Sequence, residues 1–368
     1  MLKTDLCVVG ASYAGLACAA AAADSGLAVT ILEAKAEVGL RPHTTGILVQ
    51  EAVEQLPAIP SALVRPVRGV RLYSPSLRSF DLHSQGYAFL AADTTGLLRW
   101  MADGVLKSPN VTLRTKAKFQ GAEADADGLY LREHDLFARY LVGADGARSS
   151  VAQHFGFGRN SEFLIGMEME FAGHDHLDER FLHVFVDSVL APGYIAWVVP
   201  GVGITQVGLA CRHPAHLSVE QLIDKLKPIF DFSTLEPLER RGGLIPVGGV
   251  VSPIANQQAL IVGDAAGMVS PLTAGGIHKA LELGALAGRS VAASLAGGPP
   301  PEHALLAASP HYHFKRQLRR LANRGMPNCL VDFVFGNALF RRFAQLVFFH
   351  HRGLLSREGW DSVMEKRV

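Results

Sequence analysis

Apolar and polar positions along the chain follow two rhythms. TDLCVVG, residues 4–10, is an apolar run with the length of a buried strand. It meets a glycine turn from Gly10 to Gly15. An alanine-rich stretch, Leu16 to Ser25, then predicts a helix closed by Gly26. LAVTILEA follows as a second strand ending at Glu33. Strand, glycine turn, helix, strand is how a parallel nucleotide-binding sheet begins. Further on, a period of two takes over. Residues 67–83 alternate around a Ser-Pro turn, and 163–211 alternate like an antiparallel sheet with one solvated face. Thr95 to Val105 reads as a helix capped by Thr94 or Thr95, and 111–142 as short strands. ALIVGDAAGM restores a buried strand, followed by a glycine turn and a long helix to about Leu295. GGPPPE breaks the chain, and the remainder reads as mostly helical.

The predicted class is α/β: a Rossmann-type domain, an inserted antiparallel β-sheet substrate domain and a helical C-terminal segment. The nucleotide domain is discontinuous, at 1–66, 84–160 and 252–298. The sheet domain takes 67–83 and 161–251, and residues 299–368 form the C-terminal segment.

Charge changes the picture only at that end. The net charge is +1, which gives no electrostatic drive toward nucleic acid. From His311 onward there are 11 Lys/Arg against 4 Asp/Glu, and 24 against 30 before it. FKRQLRRLANRG and LFRRFAQLVFFHHRGL mix arginine with phenylalanine and leucine. They read as amphipathic helices packed on the body, with peripheral contact to an anionic membrane as the functional alternative. Four cysteines without framework spacing fit a reducing compartment, so a cytoplasmic location, peripheral to a membrane at most, is expected. Asp5 follows Lys3 with no apolar stretch before the first strand, so no signal peptide is expected, and no apolar run is long enough to span a bilayer. His174-Asp175-His176 could ligate a metal but reads as a polar loop, and no metal site is expected.

Candidate chemistry begins at the first turn. G-x-S-x-x-G places Gly10 and Gly15 as the dinucleotide fingerprint requires, with Ser12 where the middle glycine usually stands. A small side chain there still fits, and the helix N-terminus supplies amides to a pyrophosphate. Glu33, at the end of the second strand, is placed to accept from ribose hydroxyls and argues against a bound 2′-phosphate. Two further stretches pair a strand end with an acid and glycine: LVGADGARSSV with Asp145, and ALIVGDAAGMVSPLTAGGIHKALELGALAG with Gly263, Asp264, Gly275 and Gly276.

Together these three stretches resemble the FAD motifs of flavoproteins of the para-hydroxybenzoate hydroxylase fold, over roughly residues 4–295. The resemblance implies FAD rather than NAD as the bound dinucleotide. APGYIAWVVPG, residues 191–201, is similar to the P-x-x-Y-x-W-x-F-P signature of the geranylgeranyl reductase family, which reduces isoprenoid double bonds. Pro192, Trp197 and Pro200 match. Ile195 stands at the tyrosine position, with Tyr194 one earlier, and Val199 at the phenylalanine position. The stretch is also similar to the W-x-W-x-I-P signature of flavin halogenases. From the family, FAD contacts are implied at Ala14, Glu33, Arg41, Ala117, Asp264, Gly276 and Ile277. The family's arginine falls on Thr94, leaving Arg99 as the nearest substitute. Its Cys-Gly-Gly has no equal here, where RPHTTGI offers His43 instead.

The leading expectation is an FAD-dependent oxidoreductase that reduces a C=C bond of an apolar, isoprenoid-like substrate. NAD(P)H or a small electron carrier would serve as transient reductant, since no second nucleotide fingerprint exists. A monooxygenase or halogenase on the same fold is the alternative, and an accessory flavoprotein the third reading. Tyr194 and His43 are proton-donor candidates by type. Trp197 and Val199 alternate onto one face and are expected to line the substrate pocket.

Overall fold

A computed structural model describes the chain except residues 174–176, 214–216, 233–234 and 350–368. The His174-Asp175-His176 stretch and the last part of the basic segment therefore lie outside the described residues. Two compact units are formed, each from three stretches.

The first unit comprises Met1–Pro42, Thr95–Phe163 and Ile245–Arg316. Its sheet has the order Val111–Arg114, Val29–Leu32, Leu2–Val9, Leu136–Gly143, Gly128–Leu131, Glu123–Asp125, with Ala259–Ile261 also paired to Leu136–Gly143. The strands 111–114, 29–32, 2–9, 136–143 and 259–261 are mutually parallel. A parallel sheet is covered on both faces, which accounts for the near-continuous apolar runs. The first helix, Tyr13–Asp24, begins three residues before the sequence boundary, directly out of the glycine turn. It packs on the long helix Ile277–Leu295 through glycine. A Cβ on Gly284 would stand 2.4 Å from the Ala14 carbonyl oxygen, and one on Gly288 would stand 2.3 Å from that of Cys18. Only hydrogen at these positions allows the close crossing.

The second unit comprises His43–Thr94, Leu164–Leu244 and Gln317–Val368. Its seven-stranded sheet runs Glu239–Pro246, Phe163–Ala172, Ile204–Arg212, Ala196–Pro200, Phe181–Phe185, Gly69–Tyr73, Ser79–His83. One pair, 181–185 with 69–73, is parallel, and the pairs from Phe163 through Phe185 are antiparallel. A three-stranded sheet of Ile47–Leu48, Phe89–Ala92 and Val64–Val67 belongs to the same unit.

Across the strands of residues 163–212 neither face is broadly solvated, contrary to the sequence reading, whereas the edge strand Ser79–His83 keeps one exposed face. Met169, Phe171, Val198 and Leu209 lie on one face, in a cluster with Val219 and Leu222 of helix Val219–Leu226. Val70, Leu182, Val184 and Val199 lie on the other, with Phe335 and Phe349 from the C-terminal end. The alternation was real, but helices cover what the pattern suggested was the wet side. After the proline break come helices Pro301–Ala308, His313–Asn323, Asn328–Val334 and Ala338–Phe349. No helix among the described residues is long and apolar enough to cross a membrane.

Candidate active site

In the first unit, four adjacent parallel strands bring the three sequence motifs to one edge. Gly10 N donates to Leu32 O (2.8 Å), Ala144 N to Val9 O (2.8 Å) and Val262 N to Gly143 O (2.9 Å). The Gly10 turn, Glu33, Asp145 and Asp264 thus all stand at the carboxyl ends of their strands. That is where open α/β sheets bind nucleotides.

The turn itself is a close fit. Gly10 has φ +104, and a Cβ there would meet Ala144 O at 2.4 Å. A Cβ on Gly15 would lie 1.8 Å from Gly10 O. Ser12 is the N-cap of the first helix, exposed, with φ −108 and no side-chain capping bond. Serine is tolerated because the position is exposed. Ala14 lines the inner side: a Cβ on Gly263 would come within 2.9 Å of the Ala14 Cβ.

Glu33 closes the far side. Its Oε2 accepts from Ala11 N (2.8 Å) and its Oε1 from Lys35 N (2.9 Å). One lone pair on each oxygen remains for ribose hydroxyls. Ala117 N donates to Glu33 O (2.8 Å), so the strand end and the Ala117 loop meet. Arg41 adopts φ 46, in a loop held by Lys35 Nζ on the carbonyls of Leu40 (2.7 Å) and Arg41 (3.0 Å). Arg99 pairs with Glu37 (2.6 Å). It braces this loop and is a poor stand-in for a free cofactor-binding arginine.

Asp264 behaves differently from the other acids. No hydrogen bond or ion pair reaches its carboxylate among the described residues, and burial pushes its pKa up to about 6. A Cβ on Gly276 would lie 3.5 Å from Asp264 Oδ1, so the acid faces the start of helix Ile277–Leu295. Gly276 is that helix's N-cap, Ile277 its first residue, and Gly275 O accepts from Ser270 N (3.0 Å). Neither this helix nor the first carries an acid in its first turn, so both N-termini are open to an anionic ligand.

Asp145 is corrected. Its Oδ1 accepts from Ser149 Oγ (2.5 Å), and its Oδ2 from Ser150 N (2.7 Å), Ser150 Oγ (2.9 Å) and Val151 N (3.1 Å). A carboxylate with about four acceptor positions is then full. Ser149 is the N-cap of helix Ser150–Phe155, and Asp145 takes the next two amides of its first turn, which leaves it no acceptor to offer elsewhere. Sequence reasoning also missed Asn160. Its Nδ2 donates to Ala147 O (3.1 Å) and Asp264 O (2.8 Å), joining the second motif to the third. The glycine cradle, the acid with free acceptors, the half-buried Asp264 carboxylate and the two helix N-termini fit a dinucleotide such as FAD.

The second unit holds the remaining candidates. Trp197 and Val199 share a face, as the alternation predicts, and join one apolar cluster. Beside them lies a polar row that sequence reasoning did not find. Trp197 Nε1 donates to Glu168 Oε2 (2.7 Å). Arg241 Nη2 meets Glu168 Oε1 (2.6 Å) and Glu170 Oε1 (2.6 Å), with the arginine 7% exposed. The indole lies across Gly208, where a Cβ would be 2.6 Å from the ring. Burial raises the Glu170 pKa above the usual carboxylate range. His43 is exposed and packs near Gly243, two residues along the strand from Arg241. Tyr194 sits in the turn before the Trp197 strand, with the Arg319 guanidinium 5.3 Å from its ring centroid. Burial pushes its phenol up to about 12.

Asp264 gives a prediction with a definite sign. Its folded pKa lies above the unfolded value near 3.8. The folded apoprotein therefore retains a proton that the unfolded chain gives up, and stability falls as pH rises from about 4 to about 6. Asp264→Asn should raise the apoprotein melting temperature at neutral pH while weakening FAD. Loss of one charge-assisted hydrogen bond is worth about 1.5–3 kcal/mol, roughly tenfold or more in Kd. Calorimetry and flavin titration on one preparation check both signs, and an unchanged Kd removes Asp264 from the site.

Comparison with known proteins agrees with this geometry. Residues 3–308 match the FAD binding domain family. The chain is 29% identical over 320 residues to digeranylgeranylglycerophospholipid reductase 2 of Methanosphaera stadtmanae, covering 81% of this chain and 80% of that one. It is 30% identical over 312 residues to digeranylgeranylglycerophospholipid reductase 1 of Methanopyrus kandleri, covering 78% and 80%. Among solved structures, a geranylgeranyl bacteriochlorophyll reductase-like protein of Thermoplasma acidophilum superposes with a TM-score of 0.81 at 16% identity, covering 100% of both chains. The flavin-dependent brominase Bmp2 follows at 0.72 and 14%, covering 99% and 98%. At those identities the structural likeness speaks to the fold alone. With the dinucleotide cradle in place and the family match spanning most of its length, this FAD-dependent oxidoreductase belongs to the FAD binding domain family, in the company of the geranylgeranyl reductases.

Proposed function

We propose that the protein saturates a C=C bond of an apolar, isoprenoid-like substrate. The observation that carries this reading is the pair of relatives, both reductases of a digeranylgeranyl lipid, matched over about four-fifths of either chain. Bound FAD, once reduced by NAD(P)H or a small carrier, supplies the hydride. The chain's own residues do the rest. The Gly10–Gly15 turn and the first helix N-terminus hold the pyrophosphate, Glu33 takes ribose hydroxyls, Asp264 accepts from the linking sugar alcohol, and Gly276 and Ile277 at the second helix N-terminus meet the flavin ring edge. Arg41 and Ala117 border the ribose end. The face bearing Trp197 and Val199 gives the apolar substrate a dry wall.

Saturation also needs a proton. Tyr194 is a poor source, because burial makes its phenol a weaker acid. His43 is the better of the two. Tyr194→Phe is expected to leave turnover within about threefold, while His43→Ala lowers it by about 10²–10⁴, the usual range for a lost general acid. Equal losses in both would argue that neither moves the proton.

The test of the reaction class is turnover without oxygen. Under argon, with dithionite-reduced protein and a polyprenyl substrate, the product should gain hydrogen and no oxygen. A product that forms only in air and carries an added oxygen or halogen would assign the monooxygenase or halogenase alternative.

A further inference from the structure

The C-terminal helices of the second unit have two different sides. Inward, Phe340, Ala344 and Phe348 follow each other at every fourth position, and Phe335 and Phe349 are buried in the cluster that holds Val199 and Trp197. Polar pins fix these helices to the sheet. Asp332 accepts from Ser74 Oγ (2.6 Å) and Ser76 Oγ (2.6 Å). Asn328 accepts from Ser188 Oγ (2.7 Å) and donates to Asp187 (2.9 Å). Gln345 donates to His83 O (2.7 Å).

Outward, helix Ala338–Phe349 presents Leu339, Arg342, Phe343 and Leu346, spaced as one helical stripe. Helix Asn328–Val334 presents Leu330 and Phe333. Phe333 is 83% exposed and Leu339 74%. Water does not favour leaving such side chains uncovered, and grouped exposure of this kind marks an interaction surface. The charge on these helices is of one sign. Between residues 317 and 349 there are five arginines and one acid, Asp332, which is already held by Ser74 and Ser76. Arg319 is buried and Arg341 lies over the Phe80 ring, while Arg320, Arg324 and Arg342 are exposed. Exposed leucine and phenylalanine interleaved with arginine is the composition of a helix lying in an anionic lipid interface.

We propose that these helices are a two-faced cover whose outer side docks on an anionic lipid bilayer and whose inner side closes the Trp197 face of the sheet. An apolar chain leaving the bilayer then has only this one layer to pass. The link to substrate rests on the reductase reading above, whereas the docking does not.

The experiment uses the full FAD-loaded chain and vesicles of phosphatidylcholine with or without phosphatidylglycerol. The protein should co-sediment with the anionic vesicles, bind neutral ones more weakly, and be released by high salt. Phe333→Ser with Leu339→Ser should lower binding to both kinds of vesicle. Arg320→Glu with Arg342→Glu should remove the anionic preference, by about tenfold or more in partitioning. Both double variants alter exposed side chains, so melting temperature, flavin content and turnover of a short water-soluble prenyl substrate should stay at wild-type values. Absence of co-sedimentation, or variants that bind like wild type, overturns the proposal. So does concentration-dependent dimerisation that the apolar variant abolishes, because a second copy then covers the face. Vesicle binding without turnover of any prenyl substrate would leave the docking standing and sink the reaction reading.

Discussion

Gly15→Ala is expected to abolish FAD binding, although alanine is the better helix former. Inside a helix the exchange ordinarily stabilises by about 1 kcal/mol. Here the added Cβ would lie 1.8 Å from the Gly10 carbonyl oxygen, a backbone atom that cannot rotate away. Either the first helix slides along its axis or the Gly10 turn opens. Overpacking of this kind costs about 1–3 kcal/mol, which exceeds the propensity gain. The same displacement withdraws the helix N-terminus from the pyrophosphate, so flavin content should fall well beyond tenfold. Gly26→Ala is the control. Nothing lies within 4 Å of its Cβ position, yet its φ of +86 disfavours a side chain. It should lose about 1–2 kcal/mol of stability and keep FAD. Wild-type flavin affinity in Gly15→Ala would mean that the turn does not hold the cofactor.

The cradle was legible in the sequence because its signals are local. Gly10, Gly15, Glu33 and the Gly263-Asp264 pair each announce a strand end or a turn within a few residues, and the parallel sheet brings those ends together without further instruction. Asp145 carries the same local signature. Ser149 and Ser150, four and five positions downstream, supply two hydroxyls and an amide that with the Val151 amide fill its carboxylate. An acid followed closely by serines and a short helix is as good a cap signal as a ligand signal. Arg99 stands nearest the missing arginine in sequence, but its salt bridge to Glu37 depends on loop geometry that leaves no local signal. The three-stranded sheet escaped notice because its strands are two to four residues long, too short for a period to register.

The polar row beside Trp197 was lost for a related reason. GMEMEF alternates cleanly, and two glutamates at alternate positions look like the wet face of a sheet. Their cation, Arg241, lies about seventy positions away in sequence, on the neighbouring strand. Pattern shows which residues share a face. It does not show what covers the face, and only the fold shows that Glu168 and Glu170 are buried.

That burial sets the other large effect. Arg241→Leu keeps most of the side-chain volume but leaves two carboxylates buried without a cation, Glu168 at 6% and Glu170 at 13% side-chain exposure. Removing one partner of a buried ion pair costs about 3–5 kcal/mol, most of it the penalty of the charge left behind. The deficit should shrink on acidification. A protonated carboxyl needs no cation, and Glu170 is already held above the usual range by burial. Flavin content should follow the folded fraction alone, since Arg241 lies outside the unit that carries the FAD cradle. Replacing all three charges together, Glu168→Leu, Glu170→Leu and Arg241→Leu, should by contrast be close to neutral or stabilising, as apolar groups of similar volume often are in place of a buried triad. The triple variant also takes away the acceptor that holds Trp197 Nε1 at 2.7 Å. If the indole lines the substrate pocket, KM should rise while the rate of flavin reduction and the melting temperature do not suffer. A triple variant as unstable as Arg241→Leu would show that the row is needed for folding, whereas a stable variant with unchanged KM would show that the orientation of Trp197 does not matter to the substrate.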